Sequence, residues 1–73
     1  MIVKIYSKPN CPYCTRAKTL LKNKGIDYEE LVLGVNFNRE FLLELFPEAK
    51  TFPQISIDGK GIGGYEELVN LIK

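Results

Sequence analysis

Two cysteines separated by two residues are the most informative feature of this 73-residue sequence. They form the run Cys11-Pro12-Tyr13-Cys14, and the chain has no other cysteine. A strand-like segment precedes the run and a helix-like segment follows it, so both sulfurs are expected at the start of a helix. Unpaired backbone N–H groups and the positive end of the helix dipole stabilise a thiolate there. The pair is therefore predicted to exchange electrons with another disulfide.

The two cysteines are predicted to differ in reactivity because they occupy different positions in the helix. Cys11 is expected at the N-cap as the exposed nucleophile, with its pKa below the ordinary cysteine value of about 8.5. Cys14 is expected one turn later on the apolar face, where burial keeps the pKa of its thiol higher. Cys14 is thus the predicted resolving thiol, which attacks the mixed disulfide on Cys11 and releases the product.

Three other interpretations of the cysteine pair stand beside the redox one. Two thiolates are half of a four-ligand zinc site, and the chain has no histidine, so zinc would need ligands from a second chain. A structural disulfide across so short a loop would add little stability, because stabilisation grows with loop length. The last is a pair of inert core thiols. Redox chemistry is favoured, with no metal site expected within the chain.

The rest of the sequence predicts seven elements that would position the cysteines. Apolar and β-branched runs indicate strands at 2–6, 28–33, 54–57 and 61–63. Apolar periodicity indicates helices at 12–24, 39–46 and 65–72. This order predicts one α/β domain over residues 1–73, with a four-stranded mixed sheet flanked by three helices.

Helix faces and turns refine this expectation. The second helix is expected to bury a stripe made of Phe41, Leu42, Leu45 and Phe46. The last helix is expected to supply apolar contacts from Leu68, Val69, Leu71 and Ile72. Asn38 is a predicted helix cap, and Asp58-Gly59 is typical of a hairpin turn.

Charge is distributed unevenly along a chain whose net charge is only +1. Residues 1–26 carry six basic and no acidic side chains, whereas residues 27–73 carry four basic and nine acidic ones. Positive potential near the cysteines favours thiolate and attracts anionic partners. Nucleic-acid binding is not favoured, because the overall charge is near neutral and aromatic and basic residues do not interleave.

Location is predicted from what the sequence lacks, and a monomer is expected beside it. Its apolar runs are too short to span a bilayer, so no membrane association is expected. Residues 1–4 lead directly into a strand and do not have the layout of a signal peptide. We therefore expect a cytoplasmic monomer.

Three motifs together resemble the dithiol glutaredoxin family, in particular its small bacterial and phage members. They are Cys11-Pro12-Tyr13-Cys14, Thr51-Phe52-Pro53 and Gly63-Gly64-Tyr65-Glu66-Glu67, and the resemblance covers essentially the whole chain. It implies a thioredoxin-like fold and a glutathione-dependent thiol-disulfide oxidoreductase with no tightly bound cofactor. Glutathione is the implied co-substrate. The implied substrates are glutathione mixed disulfides and disulfide-containing proteins, with ribonucleotide reductase as one protein substrate.

The resemblance also implies a binding groove for glutathione. Pro53 is expected to be cis, which is rare enough in proteins to mark a special position. The backbone of Phe52 is then expected to pair with the glutathione cysteine beside Cys11. Thr51 and Tyr13 are expected to line this groove.

The charged ends of glutathione have implied partners as well. Lys8 and Arg39 are the candidates for its glycine carboxylate. Backbone N–H groups of Gly64 and Tyr65, at the start of the last helix, are the candidates for the γ-glutamyl carboxylate. Glu66 is the candidate for the γ-glutamyl amine.

The sequence departs from the usual family pattern at three points. Phe52 replaces a smaller β-branched residue, Tyr65 replaces a small or sulfur-bearing one, and Glu66-Glu67 replaces a pair in which Asp is commoner. The first two are larger side chains beside the groove. They are expected to affect glutathione affinity and substrate range more than the thiol chemistry. The alternative function is a thioredoxin-like electron donor recharged by a flavoprotein reductase. A third is a module that shares an iron–sulfur cluster between two chains, which the stiff Pro12 disfavours.

Overall fold

The observed elements follow the predicted order, and their bounds differ from the predicted ones by at most one residue. The computed structural model describes residues 1–72, so Lys73 of the predicted domain lies outside the described residues. The elements are β1 (Val3–Ser7), α1 (Pro12–Asn23), β2 (Glu29–Val32), α2 (Arg39–Leu45), β3 (Gln54–Ile57), β4 (Lys60–Gly63) and α3 (Tyr65–Ile72).

The four strands form one mixed sheet in the order β2-β1-β3-β4. β1 pairs in parallel with β2, and Ile5 lies opposite Glu30. β1 pairs antiparallel with β3, where Ile5 lies opposite Ile55, and β3 pairs antiparallel with β4. The predicted α/β fold with a four-stranded mixed sheet and three helices is thereby confirmed.

Helices cover both faces of this sheet, as predicted, because alternate strand residues point to opposite faces. One core cluster joins β1 and β3 to α1 and α3, through Val3, Ile5, Ala17, Leu21, Ile55 and Leu68. The other cluster lies under α2 and contains Tyr6, Phe37, Leu42 and Phe46. Tyr6 makes edge-on contacts with the rings of Phe37 and Phe46, at centroid distances of 5.2 and 5.5 Å.

The buried stripe of α2 is narrower than predicted, and one of the four α3 residues expected to supply apolar contacts is largely exposed. In α2, Leu42 and Phe46 are buried, whereas Phe41 and Leu45 are 45% and 41% exposed. In α3, Leu68 is fully buried but Leu71 is 58% exposed. Each of these helices has only about two turns, so it buries little more than a single i, i+4 row against the sheet.

Local caps and turns determine where these elements stop and start. The Asn38 side chain accepts a 2.8 Å hydrogen bond from the backbone N–H of Phe41 and caps α2, as predicted. The hairpin between β3 and β4 turns at Asp58 and Gly59, which have φ angles of 52° and 82°. Positive φ at both residues matches the right-handed twist of the strands.

Within residues 1–72, none of the helices combines the length and apolar character needed to cross a bilayer.

Candidate active site

The sheet topology brings four chain segments to one edge. The cysteine loop follows the end of β1, and the antiparallel register places the start of β3 beside that end, with Tyr6 opposite Gln54. The β3–β4 pairing places Gly63, at the end of β4, opposite Ile55 near the start of β3. The start of α3 therefore lies at the same edge as Cys11.

Cys11 is the N-cap residue of α1, as predicted. Its backbone is extended, with φ −118° and ψ 102°, and Pro12 occupies the first turn of the helix. The Cys11 Sγ accepts a 3.2 Å hydrogen bond from the backbone N–H of Cys14. This amide is one of the first-turn N–H groups without an intrahelical acceptor, so the helix supplies a donor directly to the sulfur. A lowered pKa of Cys11 stays a prediction.

The two sulfurs form a disulfide, and they differ in access. Cys14 is 2% exposed and packs on the inner face of α1, whereas Cys11 is partly exposed. An incoming thiolate or disulfide therefore reaches Cys11 first. The roles of Cys11 as nucleophile and Cys14 as resolving thiol stay predictions.

A groove of about 420 Å³ runs from the cysteine loop to the start of α3. It is lined by Tyr13, Thr51, Phe52, Gly64, Tyr65, Glu66 and Glu67, and the first six of these are among the nine predicted glutathione residues. The Phe52–Pro53 peptide bond is cis, as the resemblance implied, and Pro53 is buried. Arg39, at the start of α2, does not line this groove.

Two cation–aromatic contacts border the cysteine loop. The Lys8 Nζ lies 5.6 Å from the centre of the ring of Phe52, a groove-lining residue, although Lys8 itself does not line the groove. The Arg16 guanidinium carbon lies 5.0 Å from the centre of the Tyr13 ring, and that ring in turn is 5.7 Å from the ring of Tyr65. From the sequence, Arg16 counts only among the six basic residues of positions 1–26, with no predicted role of its own. The i, i+3 spacing from Tyr13 was the signal for this contact.

One backbone N–H at the start of α3 is already bound by a side chain of the same helix. Glu67 Oε1 accepts a 2.7 Å hydrogen bond from the backbone N–H of Gly64, which is half of a capping box. The Gly64 N–H, one of two amides predicted to bind the γ-glutamyl carboxylate, is thus already engaged. The amides of Tyr65 and Glu66, in the first turn, have no acceptor within the helix. Sequence reasoning missed this role of Glu67, although an acidic residue three positions after a cap signals it.

A buried glutamine supports the loop that carries the cis proline. Gln54 is only 6% exposed, and its Nε2 donates a 2.9 Å hydrogen bond to the backbone carbonyl of Thr51. This bond ties the Thr51-Phe52-Pro53 segment to the first residue of β3. Nothing in the local sequence pattern indicated it, because the partner is a backbone atom on the far side of a turn.

A polar network lies beneath the cysteine loop, where β1 ends. The buried Ser7 hydroxyl donates to Glu30 Oε2, and Lys18 Nζ donates to the same oxygen, each at 2.9 Å. The hydrogen bond from Lys18 is the main cause that lowers the pKa of Glu30 below its ordinary value. Burial opposes it, and the hydrogen bond from Ser7 and the charge of Lys18 add to the lowering. The network joins α1, β1 and β2.

In the described part of the chain, residues 1–72, no three His, Cys, Asp or Glu side chains lie close enough together to hold a metal ion.

Comparisons with known proteins agree with this geometry. The family model described as Glutaredoxin matches residues 3–62. Glutaredoxin 3 of Escherichia coli K12 is 42% identical over 69 residues, which cover 94% of this chain and 83% of the relative. The solution structure of reduced Escherichia coli glutaredoxin aligns with a TM-score of 0.80 and 31% identity, over 99% of this chain and 93% of that one. A buckwheat glutaredoxin–glutathione complex aligns with a TM-score of 0.77 and 28% identity, over 93% of this chain and 64% of that one.

Proposed function

This chain belongs to the glutaredoxin family and is a thiol-disulfide oxidoreductase; we propose that glutathione is its reductant. The proposed substrates are glutathione mixed disulfides and disulfide-containing proteins, ribonucleotide reductase among them. The observation that best supports the proposal is the groove beside the cysteine loop. It joins the cis-proline segment to the start of α3, and most of the residues implied for glutathione lie along it.

The proposed monothiol reaction needs only Cys11. Its thiolate attacks the glutathione sulfur of a mixed disulfide, the S–S bond breaks, and the substrate leaves as a thiolate that takes a proton from solvent. The Cys14 N–H, already directed at the Cys11 sulfur, stabilises the negative charge before attack. A second glutathione thiolate then attacks the bound glutathione sulfur, which regenerates Cys11 and releases glutathione disulfide.

The proposed dithiol reaction uses both cysteines. Cys11 attacks a protein disulfide and forms a mixed disulfide, and Cys14 then attacks the Cys11 sulfur and releases the substrate as a dithiol. Two electrons pass to the substrate, and the enzyme is left with the Cys11–Cys14 disulfide, the state seen in the structure. Two glutathione molecules reduce it again and become one glutathione disulfide.

Charges around the groove fit a small anionic peptide. Lys8 lies at the Phe52 end, where the glycine carboxylate is proposed to bind, and Arg39 is the second candidate for that carboxylate. The free first-turn amides of α3 lie at the other end, where the γ-glutamyl carboxylate is proposed to bind, with Glu66 facing the amine. Part of the Phe52 ring packs against the core cluster under α2, so not all of this large side chain projects into the groove.

The wider setting of this activity is also a proposal. We infer one domain over residues 1–73 that acts as a monomer and has glutathione as a co-substrate. A cytoplasmic location fits the chemistry, because glutathione and thioredoxin systems keep thiols reduced in that compartment.

The test is glutathione-driven turnover of a small glutathione mixed disulfide by the wild type, Cys14→Ser and Cys11→Ser. We expect turnover in the wild type and in Cys14→Ser, and none in Cys11→Ser. The opposite result would be a wild-type disulfide that a flavoprotein thioredoxin reductase reduces and glutathione does not. It would contradict the proposal and support the thioredoxin-like donor.

A further inference from the structure

Arg16 lies next to the active site but does not line the groove. Its guanidinium rests on the ring of Tyr13, a side chain 53% exposed at the mouth of the site. Tyr13 also lines the groove, and its ring is 5.7 Å from the ring of Tyr65. Arg16 itself is not among the groove-lining residues, so a ligand that fills only the groove does not need it.

The charge of Arg16 is not neutralised by a neighbouring carboxylate. Among the basic residues of the first 26 positions, Lys4 and Lys18 pair with Glu29 and Glu30 of β2. Within residues 1–72, Arg16 forms no such salt bridge. A guanidinium held over an aromatic face keeps its in-plane N–H donors directed outward, where they can reach another group.

Arg16 and Lys8 each place positive charge over an aromatic ring that lines the groove. A carboxylate matches a guanidinium in both charge and shape, because two parallel N–H donors bind its two oxygens. A protein substrate extends past the groove in a way that glutathione does not. Its residues next to the reactive cysteine would then pass over the Tyr13 ring.

We propose that Arg16 is a specificity residue for protein substrates, and that it binds an acidic side chain close to the reactive cysteine of the substrate. This inference rests on the proposed reduction of protein disulfides. It does not depend on glutathione as the reductant. The preferred substrate class is consequently an acidic polypeptide segment that carries a disulfide.

Two short synthetic peptides provide the probes. Each has one cysteine in a mixed disulfide with 2-nitro-5-thiobenzoate, flanked by Asp and Glu in the acidic peptide and by Asn and Gln in the neutral one. Cys11 attacks the peptide sulfur and displaces the coloured thiolate, and Cys14 then releases the peptide thiol. The protein dithiol becomes a disulfide and the probe disulfide becomes two thiols, so the electrons balance without glutathione.

The measured quantity is the ratio of second-order rate constants, acidic over neutral peptide, for the fully reduced protein. We expect a wild-type ratio of about two to five at low ionic strength, falling as salt is added. Arg16→Gln is expected to bring the ratio close to one, and Arg16→Lys, which keeps the charge, to preserve most of it. Such changes at the border of an interface act mainly through the rate of association.

Lys22→Gln is the matched control. It removes the same charge from an exposed position of α1, about 9 Å further along the helix axis. Its ratio should stay at the wild-type value. A ratio near one in the wild type, a ratio that persists in Arg16→Gln, or an equal loss in Lys22→Gln would each overturn the proposal. None of these outcomes bears on glutathione, whose role is tested separately by the mixed-disulfide turnover.

Discussion

At the scale of single residues, reactivity follows from small differences in position. Cys11 and Cys14 are three residues apart, yet one is accessible and hydrogen-bonded at a helix start and the other is buried. Gln54 acts on the site indirectly. Among the described hydrogen bonds it makes none to a sulfur, and its side chain donates instead to the backbone carbonyl of Thr51. Groove geometry therefore depends on a buried amide next to the reacting groups.

Gln54→Met tests this positioning role. Methionine has a similar length but no donor, so the Thr51 carbonyl loses its partner and the loop loses its tie to β3. We expect the KM for glutathione to rise several-fold with a smaller change in kcat, and stability to fall by about 1 kcal/mol. Turnover kinetics and urea unfolding measure the two effects.

Ser56→Ala is the control for Gln54→Met, since Ser56 is also buried and polar on β3 but lies two residues further from the loop. It should leave the KM for glutathione unchanged. An equal rise in both variants would mean that loss of stability alone raises the KM.

At the scale of elements, a side chain of α3 packs against the junction between β4 and α3. Gly63 has a φ of 114°, and a Cβ placed there would lie 2.7 Å from Glu67 Oε1. The same oxygen caps the helix through the Gly64 N–H. A glycine is thus required both by the backbone and by the capping carboxylate.

Gly63→Ala is expected to destabilise the protein more than Gly34→Ala. Both glycines have positive φ, but a Cβ at Gly34 meets nothing within 4 Å, so its cost is mainly the backbone penalty of about 1–2 kcal/mol. Gly63→Ala adds displacement of the Glu67 cap, worth about another 1 kcal/mol. Thermal or urea unfolding gives both values.

The double variant Gly63→Ala/Glu67→Ala separates the two contributions. If the alanine acts by displacing Glu67, the double variant should cost less than the sum of the single ones. Strict additivity would instead show that the cap survives in Gly63→Ala.

At the scale of the whole molecule, the basic first third of the chain meets the acidic part that follows it. The sheet pairs Lys4 of β1 with Glu29 of β2, and α1 packs so that Lys18 reaches Glu30. Charge segregated along the sequence is therefore partly neutralised in space. Of the basic residues in positions 1–26, Lys8 and Arg16 lie over aromatic rings at the active site.

The Glu30 network predicts a pH dependence of stability. Because the folded-state pKa of Glu30 is lowered, its contribution is fully present above the ordinary value of 4.5 and is lost as pH falls through the lowered pKa. Glu30→Gln should remove this part of the loss of stability at low pH. At neutral pH it should lower the free energy of unfolding by about 1 kcal/mol or less, because the side chains of Lys18 and Glu30 are each about a third exposed. Urea unfolding at several pH values measures both.

Glu29→Gln is the control for the pH experiment, because its pair with Lys4 is longer, at 3.9 Å, and more exposed. It should cost less at neutral pH than Glu30→Gln. If the two variants lost stability equally at every pH, the Ser7–Glu30–Lys18 network would have no special role.

Local patterns were enough to predict most of the fold. Strand and helix bounds, the Asn38 cap and the Asp58-Gly59 turn depend on neighbours within a few residues, and these predictions are confirmed. The predicted burial of Phe41 and Leu45 was wrong, and Leu71 is largely exposed, because burial depends on how much of each helix the sheet can cover. The predicted glutathione roles of individual residues stay predictions.

Residue types and spacing alone pointed to the chemistry of this protein, since two cysteines at a predicted helix start, in a chain without histidine, favour a redox pair over a metal site. The groups that surround the cysteine pair follow from the tertiary fold. The bond from Gln54 to Thr51, the cap from Glu67 to Gly64 and the stack of Arg16, Tyr13 and Tyr65 depend on how loops and side chains are oriented at one sheet edge. Residue types and spacing do not specify those orientations, because they result from packing between segments distant in sequence.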